Sequence, residues 1–109
     1  MSARFVYITA PTAVEAQRIA SALIGERLAA CANVMDGVRS LYWWEGAVQD
    51  EREAVLILKT REDLVEAVIE RVRALHSYDC PCIVALPIEA GNPAFLDWIA
   101  SETAAGVRR

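Results

Sequence analysis

From Ala3 to Ala10 the chain is rich in β-branched and aromatic residues until Pro11 stops the run, which predicts a strand. Thr12-Ala13-Val14-Glu15 has capping-box spacing, in which hydroxyl and carboxylate satisfy helix N-terminal amides reciprocally. Ala16, Ile19, Ala20, Leu23 and Leu28 then recur at helical spacing, predicting a helix over roughly residues 12–28. Cys31 to Trp44 reads as a long extended segment with a bend or bulge at Asp36-Gly37, because glycine tolerates positive φ. Glu45-Gly46 turns the chain into a strand from Glu53 to Thr60, completing a long hairpin. Thr60 and Asp63 are placed to cap a second helix with Val65, Val68, Ile69, Val72 and Leu75 inward. A polar loop, His76 to Asp79, leads to a strand from Cys82 to Glu89. Asn92-Pro93 then starts a third helix with Phe95, Trp98 and Ile99 inward.

The order is βαββαβ plus a terminal helix, which predicts an α+β ferredoxin-like sandwich with helices on one face of an antiparallel sheet. Residues 1–109 contain no linker or repeat, so they read as one domain. Composition changes this picture in one respect. The chain is 55% hydrophobic with mean hydropathy +0.25, whereas globular chains average about 45–50% apolar. A 109-residue domain cannot hide that excess alone. The open sheet face therefore predicts association with copies of itself.

Charge narrows the partners. Eleven basic against fifteen acidic residues give a net charge of −4. The only basic pair outside a mixed-charge context is Arg108-Arg109, so nucleic acid is not an expected partner. No run is long enough to span a membrane. The N-terminus lacks the features of a signal peptide, and three cysteines cannot pair fully within one chain. These readings point to reduced thiols and a cytoplasmic protein with no membrane association.

Five blocks carry a resemblance: Glu26 to Val34, Gly37 to Gly46, Leu58 to Arg61, His76 to Asp79, and Leu86 to Asn92. In this order and register the sequence resembles the CutA divalent-cation tolerance family. The resemblance implies a ferredoxin-like fold built into a tight, PII-like homotrimer, long strands reaching onto neighbouring subunits. It implies a role in tolerance to copper and other divalent cations, and brings no established catalytic reaction. It singles out Trp44, Glu53, Lys59, His76 and Tyr78 as a ligand-binding set in an inter-subunit cleft. Where the family commonly has His-Pro-Tyr, this chain has His76-Ser77-Tyr78, which predicts a looser, more adaptable His76.

The residues allow competing chemistries. Glu53, Val55, Ile57 and Lys59 share parity along a strand, so Glu53 and Lys59 either meet a ligand with His76 and Tyr78 of the same or a neighbouring subunit or form a structural ion pair at the trimer interface. Cys31, His76, Cys80 and Cys82 together would make a soft-metal set for copper or zinc. Cys31 alone reads as a small buried hydrophobe, and Cys80/Cys82 as an incidental thiol pair. A small enzyme with His76 as acid–base beside Lys59 is a second class, though no catalytic motif accompanies it. A purely structural docking trimer is the third.

Overall fold

A computed structural model of the chain describes residues 2–103; Arg108-Arg109 lie outside the described residues. Strand β1 (Ala3–Ala10) sends Val6, Ile8 and Ala10 to one side, where all three are fully buried. Helix α1 (Ala13–Gly25) covers them with Ala16, Ile19, Ala20 and Leu23. It ends three residues earlier than the periodicity predicts. Arg27 adopts φ 59°, the Leu28 amide reaches back to Leu23 O and the Arg27 amide to Ile24 O. That is a Schellman cap with an arginine in the left-handed position. Of the predicted capping box only half forms: Thr12 Oγ1 accepts from the Glu15 amide, while the Glu15 carboxylate goes elsewhere.

Strands β2 (Cys31–Trp44) and β3 (Ala47–Arg61) form the long hairpin, closed by Glu45 and Gly46, both at positive φ. This is a two-residue turn whose twist suits the flanking strands. A register shift occurs between Met35 and Val38, where Asp36 and Gly37 together oppose one residue of β3. Gly37 sits at φ 79°. The bulge bends β2 and re-aims every side chain beyond it.

A short 3-10 turn (Glu62–Leu64) precedes α2 (Val65–Leu75), which buries Val68 and Val72. Neither Thr60 nor Asp63 caps this helix, whose N-cap is Leu64. Thr60 remains in β3 and donates its hydroxyl to Leu28 O at 2.6 Å, tying the strand to the end of α1. Strand β4 is Ile83–Pro87, shorter than predicted and leaving Cys82 just outside it. Helix α3 (Pro93–Glu102) is capped by the Asn92 side chain on the Ala94 amide. Only Ile99 of its predicted inner face is buried. Phe95 and Trp98 are 39% and 41% exposed and stack on each other at 5.5 Å.

The sheet order is β2-β3-β1-β4, all pairs antiparallel. Helices α1 and α2 close the main core against Leu56 and Leu58, while α3 contacts β3 and β1. The two edges are a long strand, β2, and a short one, β4. Among the described residues no helix is long and apolar enough to cross a membrane.

Candidate functional site

Beyond the bulge, the outer half of the hairpin curves over the sheet and faces the segment that follows α2. A cleft of about 770 Å³ lies there. Tyr42, Trp44, Glu51 and Glu53 line it from the hairpin, Tyr7 and Thr9 from β1, and Tyr78 to Cys82 from the loop. Alternation explains the hairpin's share, since Gln49, Glu51 and Glu53 fall on one face of β3. Trp44 lines the cleft, whereas Trp43 does not and is 74% exposed.

Two phenol–carboxylate pairs organise the polar lining. Tyr78 donates to Glu53 Oε2 at 2.8 Å, and Tyr42 donates to Glu51 Oε1 at 2.8 Å. Burial, then the bond to Glu53 and its charge, push the Tyr78 phenol well above its ordinary range. The bond to Glu51, followed by partial burial, raises Tyr42. Both phenols therefore remain protonated donors at neutral pH and do not become phenolate metal ligands. Glu53 is only 5% exposed, so its carboxylate depends on Tyr78.

His76 belongs to the frame of this site and not to its lining. Its ring is fully buried, Nε2 lies 2.8 Å from Thr9 O, and Nδ1 accepts from the Tyr78 amide at 3.1 Å. A ring whose Nδ1 accepts carries its proton on Nε2, the neutral tautomer that donates to Thr9 O. Both nitrogens are thereby committed, and the ring packs 4.9 Å from Tyr78. The expectation of a loosened His76 is corrected as well. Ser77 donates both its amide and its hydroxyl to Glu15 Oε2, each at 2.9 Å. A proline there has no N–H to give; serine replaces ring stiffness with a two-bond clamp onto α1.

Burial alone would raise Glu15, but the Ser77 amide and hydroxyl outweigh it and hold the carboxyl below its ordinary 4.5. A depressed folded-state pKa contributes stability above the unfolded value and loses it as pH falls through the folded one. Glu15→Gln is therefore expected to cost about 1 kcal/mol at neutral pH, with the gap to wild type closing as the pH drops below the ordinary carboxylate range. Urea unfolding of both proteins across that range checks it.

Lys59 does not join Glu53. Six residues along a strand at about 3.4 Å each separate them by about 20 Å. Lys59 instead donates to Asn33 Oδ1 at 2.6 Å and lies 3.6 Å from Cys31 Sγ, across the Cys31–Lys59 register pair. The predicted five-residue set thus splits: Trp44, Glu53 and Tyr78 share the cleft, His76 braces it, and Lys59 lies at the other end of the sheet. Within one chain Glu53 and Lys59 form no ion pair. Nor is Cys31 buried; it is half-exposed beside Lys59. The four-residue metal set fails to assemble within the chain, because Cys31 lies on edge strand β2 at the level of Lys59 and His76 is spoken for. Among the described residues no three His, Cys, Asp or Glu side chains converge on a metal-sized point. Tyr42 and Glu51 escaped the sequence reading as site residues, the shared parity of Glu51 with Glu53 being the one signal, and Glu15 was read only as part of a helix cap.

An antiparallel four-stranded sheet entered by two β-α-β crossovers around a hairpin is a ferredoxin-like α+β fold. The pattern of the CutA1 divalent ion tolerance protein family fits residues 4–102, and the chain belongs to that family. The divalent-cation tolerance protein CutA of Archaeoglobus fulgidus is 48% identical over 95 residues, 87% of this chain and 92% of its own length. Its Thermus thermophilus counterpart is 47% identical over 98 residues, covering 90% and 95%. A chloroplastic CutA 1 from Oryza sativa is 48% identical over 98 residues, 90% of this chain, which spans only 55% of that longer protein. The crystal structure of CutA1 from Oryza sativa superposes with TM-score 0.93 at 44% identity, covering 97% of each chain. The Thermus thermophilus structure gives 0.91 at 45%, covering 94% and 99%. The solved Archaeoglobus fulgidus protein is described as periplasmic.

Proposed function

We propose that this protein acts in divalent-cation tolerance as a homotrimer that binds copper, another divalent cation or a small ligand in clefts completed between subunits. The observation that carries the reading is the hairpin's uncovered apolar surface. Leu41, Trp43 and Val48 are 67%, 74% and 55% exposed, on a chain whose sheet leaves both edges open. A long edge strand on one side and a short one on the other favour a head-to-tail contact, which must close into a ring or run on as a filament. The cleft beside that surface is lined by the carboxylates Glu51, Glu53 and Asp79, which do not converge on one ion within the chain, so a cation held there draws further donors from a neighbouring subunit. Three free thiols suit a reducing compartment, the cytoplasm. Binding, not catalysis, is the mode: His76 and Lys59 are apart, and their polar atoms are already engaged.

Light scattering after gel filtration should give three times the 12.0 kDa chain mass. Calorimetric titration with Cu(II) and Zn(II) should then show binding that Glu51→Gln weakens. A monomer overturns the reading; a trimer that takes up neither ion overturns its copper and zinc part.

A further inference from the structure

The cleft of about 770 Å³ is walled by aromatic rings and carries its negative charge at separate points. Beyond the bulge, one face of the hairpin presents Tyr42 and Trp44 from β2 with Glu51 and Glu53 from β3. The loop after α2 adds Tyr78 and the exposed Asp79. The two phenol–carboxylate pairs form one cluster, since the Glu51 charge also acts on Tyr78 and the Glu53 charge on Tyr42. Each phenol occupies a single oxygen of its glutamate, Glu53 Oε2 and Glu51 Oε1. The remaining oxygens, Glu53 Oε1 and Glu51 Oε2, accept no hydrogen bond from the described residues. Glu53 Oε1 is not sealed off, because among the described residues Arg61 alone carries buried side-chain polar atoms without a partner. It opens on the cleft.

Charge and shape decide the ligand. Among the described lining residues the one cation is Arg39, and its guanidinium lies 2.9 Å from Asp50, outside the lining. The carboxylates are therefore not neutralised within the cleft. Nor do they converge on a metal-sized point, so a single small ion meets only part of them. Spread charge calls for a ligand whose own charge is spread. Glu51 and Glu53 stand two strand residues apart, about 7 Å between Cα atoms. In a linear amine, roughly three or four methylenes joined by bonds of about 1.5 Å hold two ammonium groups about 5–6 Å apart. The walls match as well. Ammonium groups are attracted to aromatic faces, and methylene chains bury apolar surface against them. A bare metal ion lacks the apolar surface to do the second.

We infer that the cleft binds a linear aliphatic polyamine, with Glu51 and Glu53 taking successive ammonium groups, Trp44 and Tyr42 flanking the methylenes, and Asp79 taking a further charge. This rests on the reading of the cleft as a ligand site and names its small-ligand class. Alkylammonium groups, like that of lysine, are charged at neutral pH, so the ion pairs form without proton transfer.

Calorimetric titration of spermidine into the intact protein at constant ionic strength tests this. One spermidine per chain is expected, with the diamine putrescine weaker and butylamine, which carries a single charge, weaker still. Glu51→Gln should weaken spermidine about tenfold, through loss of a charged hydrogen bond. Trp44→Leu should weaken it about fivefold, through loss of the aromatic face. Glu66→Gln removes an equal charge from the exposed surface of α2 and should leave binding unchanged. Undiminished binding in Glu51→Gln or Trp44→Leu overturns the site, as does an equal loss in Glu66→Gln. Butylamine as tight as spermidine overturns the polyamine assignment. Circular dichroism and light scattering confirm that each variant keeps its fold and assembly. Glu51→Gln is nearly isosteric at an exposed position, so it decides the matter should Trp44→Leu fail to assemble. Mass and Cu(II)/Zn(II) titrations of the same samples report the broader reading separately. A trimer that binds either metal ion but no spermidine sinks this inference alone, whereas one that binds none of them sinks the ligand reading too.

Discussion

Tyr78→Phe is expected to destabilise the protein by about 2 kcal/mol, because it strands a buried carboxylate and leaves the shape of the cleft almost unchanged. Glu53 is 5% exposed, and its Oε2 takes the Tyr78 hydroxyl at 2.8 Å. Removing the donor leaves the charge with water at the cleft mouth as its only replacement, so the cost exceeds that of an ordinary surface hydrogen bond. Urea denaturation measures it, and a double-mutant cycle apportions it. In a Glu53→Gln background, where no charge is stranded, the same Tyr78→Phe change should cost less than half as much. The linkage has a definite sign. A phenol whose folded-state pKa is raised contributes fully below its unfolded value of about 10 and loses that contribution at higher pH. The gap between wild type and Tyr78→Phe should therefore be flat through neutrality and narrow above about pH 10. A flat gap into alkali would mean that Glu53 is not the partner that holds Tyr78.

The element order was legible because each element carries its own local signal. Pro11 ends β1, Asn92-Pro93 starts α3, and Glu45-Gly46 closes the hairpin, each a backbone constraint written in one or two residues. What local signals could not give were interactions made across the fold. The C-terminus of α1 follows from a positive φ at Arg27, a residue with no intrinsic preference for it, so periodicity ran on to Leu28. Thr60 has the chemistry of a helix cap, yet Leu28 O is a closer acceptor once β3 meets α1. Glu15 likewise fits a capping box, but a serine 62 residues later claims its carboxylate.

The site was legible by membership and not by arrangement. Trp44, Glu53 and Tyr78 do share a cleft, while Lys59 was grouped with Glu53 by the family resemblance and by strand parity. Parity fixes the face on which a side chain lies but says nothing about distance along the strand. The same limit applies to the soft-metal set: three cysteines and one histidine do not come together within one chain, because sheet order sets Cys31 on the edge opposite the strand that follows Cys82.

The second large effect concerns assembly: Leu41→Glu combined with Trp43→Glu is expected to convert the oligomer to monomer without unfolding it. These two residues are 67% and 74% exposed, on a 14-residue edge strand with no partner on its outer side within the chain. Full burial of such side chains is worth roughly 1.5–3 kcal/mol each. Two substitutions repeated at each interface of a ring thus remove several kcal/mol per contact, and the introduced carboxylates add a desolvation cost on top. Neither residue belongs to the cluster of buried side chains between sheet and helices, so secondary structure should persist. Gel filtration with light scattering should find the 12.0 kDa chain alone, and circular dichroism should remain native-like. Cation binding separates the two parts of the functional reading. If the cleft needs a neighbouring subunit to complete it, a monomer produced by Trp43→Glu alone, a residue outside the cleft lining, should lose its affinity for Cu(II) and Zn(II). An unchanged mass in the double variant would show that the apolar face of the hairpin is not what joins the subunits.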